Sequence, residues 1–418
     1  MGRRSLAPSI LVCAAVICLS TAAARAMTII PVSTDDLAVS SRAIVVGRIL
    51  EVEAIWSSER RAVYSYVTVD VERTLKGDVP PGLVVLRQRG GQTDKHVTWV
   101  EGAPDLRAGH RALLFLNTDR EGALRVAHLG LGHYEIERDP GTGRDMAVRA
   151  TVADAAPLDE LEARVTVALV RRQEDVERFT AERHAGPMLL APAEYTASAA
   201  ASAPRHNFGF IAPGFRWFEP DSGAKVSFGV SGQGPTASSG VDEVKRALDA
   251  WSSVSGSSLE LDYAGRTGGG GHRADGRSTV AFNDPLDEID DPVNCTGVVA
   301  SGGISASLPD SLSLAGRRFV RIGEGDVVVN DGFECLVSNS VVLSEILTHE
   351  LGHALGIGHS SERIGESTAA FKDATMFFVI HNDGRGASLS PPTAISLRTP
   401  NAAARACNNS GSAINASR

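Results

Sequence analysis

Along the first third of the chain, apolar and polar residues alternate with the two-residue period of half-buried strands. Val63, Ser65, Val67, Val69 and Val71 interleave with Tyr64, Tyr66, Thr68 and Asp70. Ala43–Val52 reads as a strand ahead of them. Leu83–Leu86, Val97–Val100, Ala112–Leu116, Leu124–Leu129 and His133–Glu137 read as strands behind them. Turn signals such as Lys76-Gly77-Asp78 and Pro80-Pro81-Gly82 separate the runs. Short strands at regular spacing predict a small barrel or sandwich. The period changes after Pro157, where Leu158, Leu161, Val165, Leu169 and Val176 fit an amphipathic helix laid on the barrel.

Residues 185–206 are rich in Ala, Ser and Pro and read as a linker between a domain at 27–184 and a second at 207–397. In the second domain Lys225–Val230 fits a strand, and Val241–Val254 fits a helix with Val244, Leu248 and Trp251 on one face. Leu259–Tyr263 and Thr279–Phe282 fit further strands. The whole is expected to be a multidomain α+β protein. Residues 398–418 carry no apolar period and read as an irregular tail.

Composition narrows the function classes. With 43% hydrophobic and 22% charged residues in 418, the chain is neither disordered, collagenous nor a coiled coil. A net charge of −9 without a long Lys/Arg run argues against a nucleic-acid partner. Residues 1–26 have the form of a signal peptide: Arg3 and Arg4, an apolar run from Ile10 to Leu19, then Ala24-Arg25-Ala26 for cleavage. That run is about half the ~20 residues a membrane span needs. The mature form is therefore expected to be exported, secreted or periplasmic, with no membrane partner. Removing the leader leaves Cys295, Cys335 and Cys407. In an oxidising compartment Cys295 and Cys335, which flank one segment of one domain, are the expected disulfide.

The chemistry concentrates in Ser340-Val-Val-Leu-Ser-Glu-Ile-Leu-Thr-His349-Glu350-Leu-Gly-His353-Ala-Leu-Gly356-Ile-Gly-His359-Ser360. On a helix, His349 and His353 leave the same face one turn apart and can meet one zinc. Glu350 projects beside the metal, where a carboxylate can take a proton from water. Gly356 can adopt positive φ and turn the chain back so that His359 becomes a third ligand. Three ligands leave a fourth position open, the catalytic rather than the structural arrangement. Zinc there would lower the pKa of water toward ~7 and polarise a carbonyl. The expected partner is then a protein or peptide substrate.

This segment resembles the metzincin signature HExxHxxGxxH, and Ser360 is similar to the residue that follows it in the matrixin branch. The resemblance implies a zinc endopeptidase domain with a twisted sheet, an active-site helix and a cleft in which substrate adds to an edge strand. It implies a methionine floor under the ligands, for which Met376 in Asp373-Ala-Thr-Met376-Phe-Phe378 is the candidate. Matrixins carry Met-Tyr-Pro at that turn, so the pocket wall differs here. Leu389-Ser-Pro-Pro-Thr393 also lacks the acids of the family's last helix. The 27–184 pattern resembles the OB-like barrel of netrin-type and metalloproteinase-inhibitor modules, without their cysteines. Residues 27–206 hold no cysteine. Any restraint of the cleft by the barrel is therefore expected to be non-covalent, and substrate binding and structural support stay open as its role. A catalytically silent binding or adhesion protein is the alternative function, and an inhibitor fused to its target fold is a third reading.

Two weaker sites complete the reading. Asp284, Asp287, Glu288, Asp290 and Asp291 form an acidic loop, read first as solvated and second as a calcium site. His272 and Asp275 follow four glycines where some matrixins hold a second zinc, without the full ligand spacing. The oligomeric state is left open.

Overall fold

The computed structural model describes residues 28–59, 61–149, 154–181, 210–212, 214–314, 316–363, 365–391 and 393. The expected leader, the 185–206 linker, the 398–418 tail and Cys407 lie outside them. The protein is a sheet-rich mixture of α and β structure. It opens with β1 (Thr28–Ile30) and α1 (Thr34–Ser40). Then follow β2 (Ala43–Trp56), β3 (Val63–Lys76), β4 (Gly82–Arg89), β5 (Gly91–Gln92) and β6 (His96–Val100). β7 (Arg111–Thr118), β8 (Leu124–Val126), β9 (His133–Arg138), β10 (Asp145–Arg149) and β11 (Asp154–Pro157) lead into α2 (Leu158–Ala181).

β2 pairs with β3, β3 with β4, β4 in parallel with β8, β8 with β7, and β7 back to β2. Five strands thus close a ring. The period-2 pattern explains what fills it. Ala43, Val45 and Ile49 of β2 point inward with Val67, Val69 and Val71 of β3 and Ala112, Leu114 and Leu116 of β7. Their neighbours Ile44, Val46, Leu113 and Phe115 point the other way, into a second core under α1 and α2. That second core does not stop at the barrel. It runs on through Ile289, Val298, Val328, Phe377 and Phe378 from the other half of the chain.

The second half begins with β12 (Phe215–Arg216), α3 (Glu219–Ser222), β13 (Val226–Ser231) and α4 (Val241–Ser252). β14 (Leu261–Arg266), β15 (Ser278–Phe282), β16 (Gly297–Ser307), β17 (Ser311–Leu314), β18 (Arg317–Arg321) and β19 (Glu324–Val329) follow. α5 (Glu334–Val337), α6 (Ser340–Ala354) and α7 (Ala369–Lys372) close the series. The main sheet has the order β14-β13-β15-β19-β16-β6-β5, parallel from β14 to β19 and antiparallel from there to β5. α4 and α6 pack together with α6 against β16 and β19. Trp251 Nε1 of α4 donates to Thr348 O of α6 at 2.8 Å. The Cys295–Cys335 disulfide, with its Cα atoms 6.6 Å apart, joins the segment before β16 to α5 just ahead of α6.

One strand lies elsewhere than expected. Val97–Val100 reads as a barrel strand, but β6 pairs with β16 from Gly303↔Val100 to Ser307↔His96. Gly297–Ala306 of β16 is buried throughout, and its free edge would leave backbone groups without partners. β6 supplies them along Gly303–Ser307 and β1 along Gly297–Ala300, across the two halves.

The acidic loop is also corrected. It is not a solvated loop: Asp284, Glu288 and Asp290 are buried. Barrel side chains reach into it. Arg89 pairs with Glu288, Arg120 with Asp287, and Arg125 with Asp287 and Asp290. Asn117 Nδ2 donates to Asp290 Oδ1 at 2.9 Å. Burial raises Asp284 to about 6. Burial also works to raise Glu288, but the Arg89 guanidinium and His272 outweigh it and hold that carboxyl at about 2.

Arg89→Met should therefore destabilise the protein by about 3–5 kcal/mol near neutral pH, because it strands a buried carboxylate. Adding Glu288→Gln should recover part of the loss. Glu288 is depressed when folded, so its contribution is complete above the ordinary 4.5 and fades as pH falls to about 2. Urea denaturation across that window should show the Arg89→Met penalty shrinking toward acid pH. A penalty that stays constant would place its origin elsewhere.

Candidate metal centre

α6 is capped at its start by Asn339, whose side chain accepts from Val341 N at 2.9 Å. Every residue from Val342 to Ala354 is buried, so both faces of the helix meet protein. It ends at Leu355. Gly356 takes φ +91°, its N–H donates to His353 O at 2.8 Å, and Ile357 N donates to Gly352 O at 2.9 Å. This left-handed stop, cheap only for glycine, carries the chain back toward the helix face.

The three histidines converge. His349 Nε2 lies 2.8 Å from His353 Nε2 and 3.1 Å from His359 Nε2. Backbone carbonyls set which nitrogen points inward. His349 Nδ1 lies 2.8 Å from Thr375 O, and His353 Nδ1 lies 2.7 Å from Ile357 O. A carbonyl can only accept, so both Nδ1 atoms carry the proton and both Nε2 lone pairs face the common point. Burial lowers His349 to about 4 and His353 well below its ordinary value. Neutral imidazoles with converging lone pairs repel one another and suit a cation between them. Among the described residues this is the one group of three or more such side chains that could hold a metal ion.

Glu350 is fully buried beside the triad. Its Oε1 accepts from the backbone N–H of Thr28 at 2.9 Å, while Oε2 has no hydrogen-bond partner. Burial pushes its carboxyl up to about 7.

Met376 is completely buried and packs under α6. A Cβ added at Gly352 would fall against Met376 Sδ and 2.8 Å from Trp251 Cζ2. The same turn holds both ligand arms, because Thr375 O meets His349 and Met376 O accepts from Ser360 N at 2.8 Å. Phe378 lies 6.0 Å from the His359 ring, centroid to centroid, and Phe377 and Phe378 are buried with Ile29. Ser360 Oγ donates to Phe371 O at 2.7 Å, which ties the 361–375 insertion to the third histidine.

The other sites do not converge with it. His272 is buried with Nδ1 2.6 Å from Glu288 Oε2, facing the acidic loop rather than Asp275. Some of what fixes the site carries no residue-type signal. The carbonyls of Thr375 and Ile357 are backbone groups, and Thr28 is 322 residues from the carboxylate it meets. Glu345, one turn before His349, accepts from His381 N at 2.8 Å and holds the chain beyond the methionine turn. Its place four residues ahead of the first histidine was the only available hint.

No protein-family model matches the chain, and no curated protein shows a significant match to it.

A helix-interior Gly→Ala change ordinarily stabilises by about 1 kcal/mol. Gly352→Ala should do the reverse, costing about 1–3 kcal/mol through overpacking against Met376 and Trp251. Denaturant titration decides the sign, and a gain in stability would show that these two side chains yield freely.

Proposed function

We propose that the chain is an exported, zinc-dependent endopeptidase of the matrixin-like metzincin type, preceded by an OB-like barrel. The observation that carries this reading is the convergence of the His349, His353 and His359 Nε2 atoms beside the buried, half-partnered carboxylate of Glu350. A tetrahedral zinc with bonds of ~2.0–2.1 Å keeps its nitrogens about 3.3 Å apart, close to the separations here. The carbonyl-fixed tautomers, the glycine stop and the methionine under the helix all serve that same point. The five-strand ring with its parallel β4–β8 closure supports the OB-like reading of the barrel. The disulfide and the leader-like residues 1–26 support export. Among the described residues no helix is long and apolar enough to cross a membrane.

Zinc, when bound, supplies polarisation of the scissile carbonyl and acidifies water. The chain supplies the rest. His349, His353 and His359 hold the metal. Glu350, raised toward neutrality by burial, accepts the proton of the attacking water and returns it to the leaving amine. The stretch of the β16 edge that β1 pairs with, Gly297–Ala300, would offer backbone groups to an extended peptide in its place, with Phe377 and Phe378 on the other side.

Glu350→Gln should retain one zinc per chain and lose peptide hydrolysis by ~10²–10⁴-fold, the usual effect of deleting a general base. His349→Ala should lose the metal. Elemental analysis after dialysis, paired with turnover of a quenched peptide, separates the two. Zinc held by all forms with no hydrolysis in any of them would favour the silent binding protein.

A further inference from the structure

Resting on the peptidase reading, we infer that β1 is an intramolecular inhibitor: the barrel lays Thr28–Ile30 along the cleft where a substrate strand would lie. β1 is paired on both sides. It runs antiparallel to β16, with Thr28↔Ala300, Ile29↔Val298 and Ile30↔Gly297 in register. On its other side Ile29 bridges Val379 in parallel, and Ile29 N donates to Phe378 O at 3.2 Å. A three-residue strand held between an edge strand and a facing wall is how a cleft of this kind grips extended peptide.

The contact with Glu350 sharpens the point. The Thr28 N–H takes one oxygen of the carboxylate that must receive a proton. The Ile29 side chain is fully buried with Val298, Phe377 and Phe378, filling the apolar space beside the third histidine. Backbone pairing, the proton acceptor and the apolar pocket are thus engaged together by consecutive residues.

The rest of the β16 edge is covered too. Glu101 N donates to Gly302 O at 3.0 Å, and Ser301 Oγ donates to Glu101 O at 2.8 Å. β6 occupies Gly303–Ser307. From Gly297 to Ser307 the edge has partners from the barrel half at every stretch, so no position along it is left for another strand.

The segment is anchored rather than loose. Val32 and Leu37 are buried in the core shared with the barrel, and Ser33 caps α1. Thr34 Oγ1 lies 3.1 Å from Tyr134 Oη, and Arg149 Nη1 donates to Val32 O at 3.4 Å. A tether this short holds the strand near the cleft at an effective concentration of order 1 mM. Even an intrinsic affinity near ~0.1 mM then suppresses the site about tenfold. No thiol takes part.

The test compares three zinc-loaded mature chains: wild type, Ile29→Asp, and a chain beginning at Val32. Each is assayed for turnover of a short quenched peptide, for affinity toward a peptidyl hydroxamate by calorimetry, and for zinc content. Ile29→Asp places an unpaired carboxylate in the apolar pocket and should expel the strand. The Val32 chain removes it outright and guards against a folding defect in the first variant. At least tenfold faster turnover and tenfold tighter hydroxamate binding in both, with zinc unchanged, is expected. Equal turnover and equal hydroxamate affinity in all three would overturn the inhibitor and leave the peptidase standing. Tighter hydroxamate binding without hydrolysis in any form would keep the blocked cleft and remove the peptidase. Failure of every form to bind zinc and hydroxamate would remove both.

Discussion

The helix α6 lies closer to its surroundings than a side chain would permit, and the geometry of the histidine triad depends on it. A Cβ at Gly302 of β16 would come within 2.7 Å of His353 Cβ, and one at Gly325 of β19 within 2.6 Å of Ala354 O. On the remaining side Gly352 admits Met376 and Trp251. Three glycines on three elements therefore let sheet, second helix and methionine turn press on α6 from different directions. The histidine rotamers inherit that fixity, since Thr375 O and Ile357 O are held by the same packing. A ligand set organised before the metal arrives loses little conformational freedom on binding it.

The same closeness explains why the edge of β16 matters. A strand lying along Gly297–Gly302 is brought against Glu350 by the helix–strand contact, with no further device. β1 meets the carboxylate through its backbone for that reason. On the proposed reading, substrate and inhibitor share one requirement, an extended segment in antiparallel register to β16. Specificity on this edge has to come from the side-chain pocket, because main-chain hydrogen bonds are common to all peptides.

Much of the local structure was legible in the chain. The His349–His359 spacing, the stop at Gly356, the helices at Leu158 and Val241 and the inward residues of β3 follow from periodicity and residue type; Ala43-Ile-Val-Val46 of β2 is apolar throughout, so its alternation could not be read. Partnerships between distant segments were not. Val97–Val100 has the alternation of a strand, and nothing in that alternation says whether its partner is β7 or β16. The acidic loop looked solvated because charge usually is, yet Arg89 and Arg125 of the barrel strands and Arg120 of the β7–β8 turn reach it from more than 160 positions earlier. Thr28 carried no signal at all, since its contribution is a backbone N–H that every residue but proline possesses.

Two kinds of contact join the barrel to the rest of the protein, and they differ in what breaking them exposes. The shared core around Val298, Val328, Phe377 and Phe378, together with the buried Arg89–Glu288 pair, would open apolar surface and unpaired charge to water if the barrel left as a body. Each large apolar side chain uncovered costs about 1.5–3 kcal/mol, and a separated buried ion pair costs more. β1 is a smaller unit. Its departure uncovers Ile29 and breaks a few backbone hydrogen bonds that water or an incoming peptide can replace. Local opening of this three-residue strand is therefore less costly than undocking of the barrel. A peptide competing for the β16 edge needs only the first. The barrel can stay in place with β6 still paired to Gly303–Ser307 whether or not β1 leaves Gly297–Ala300.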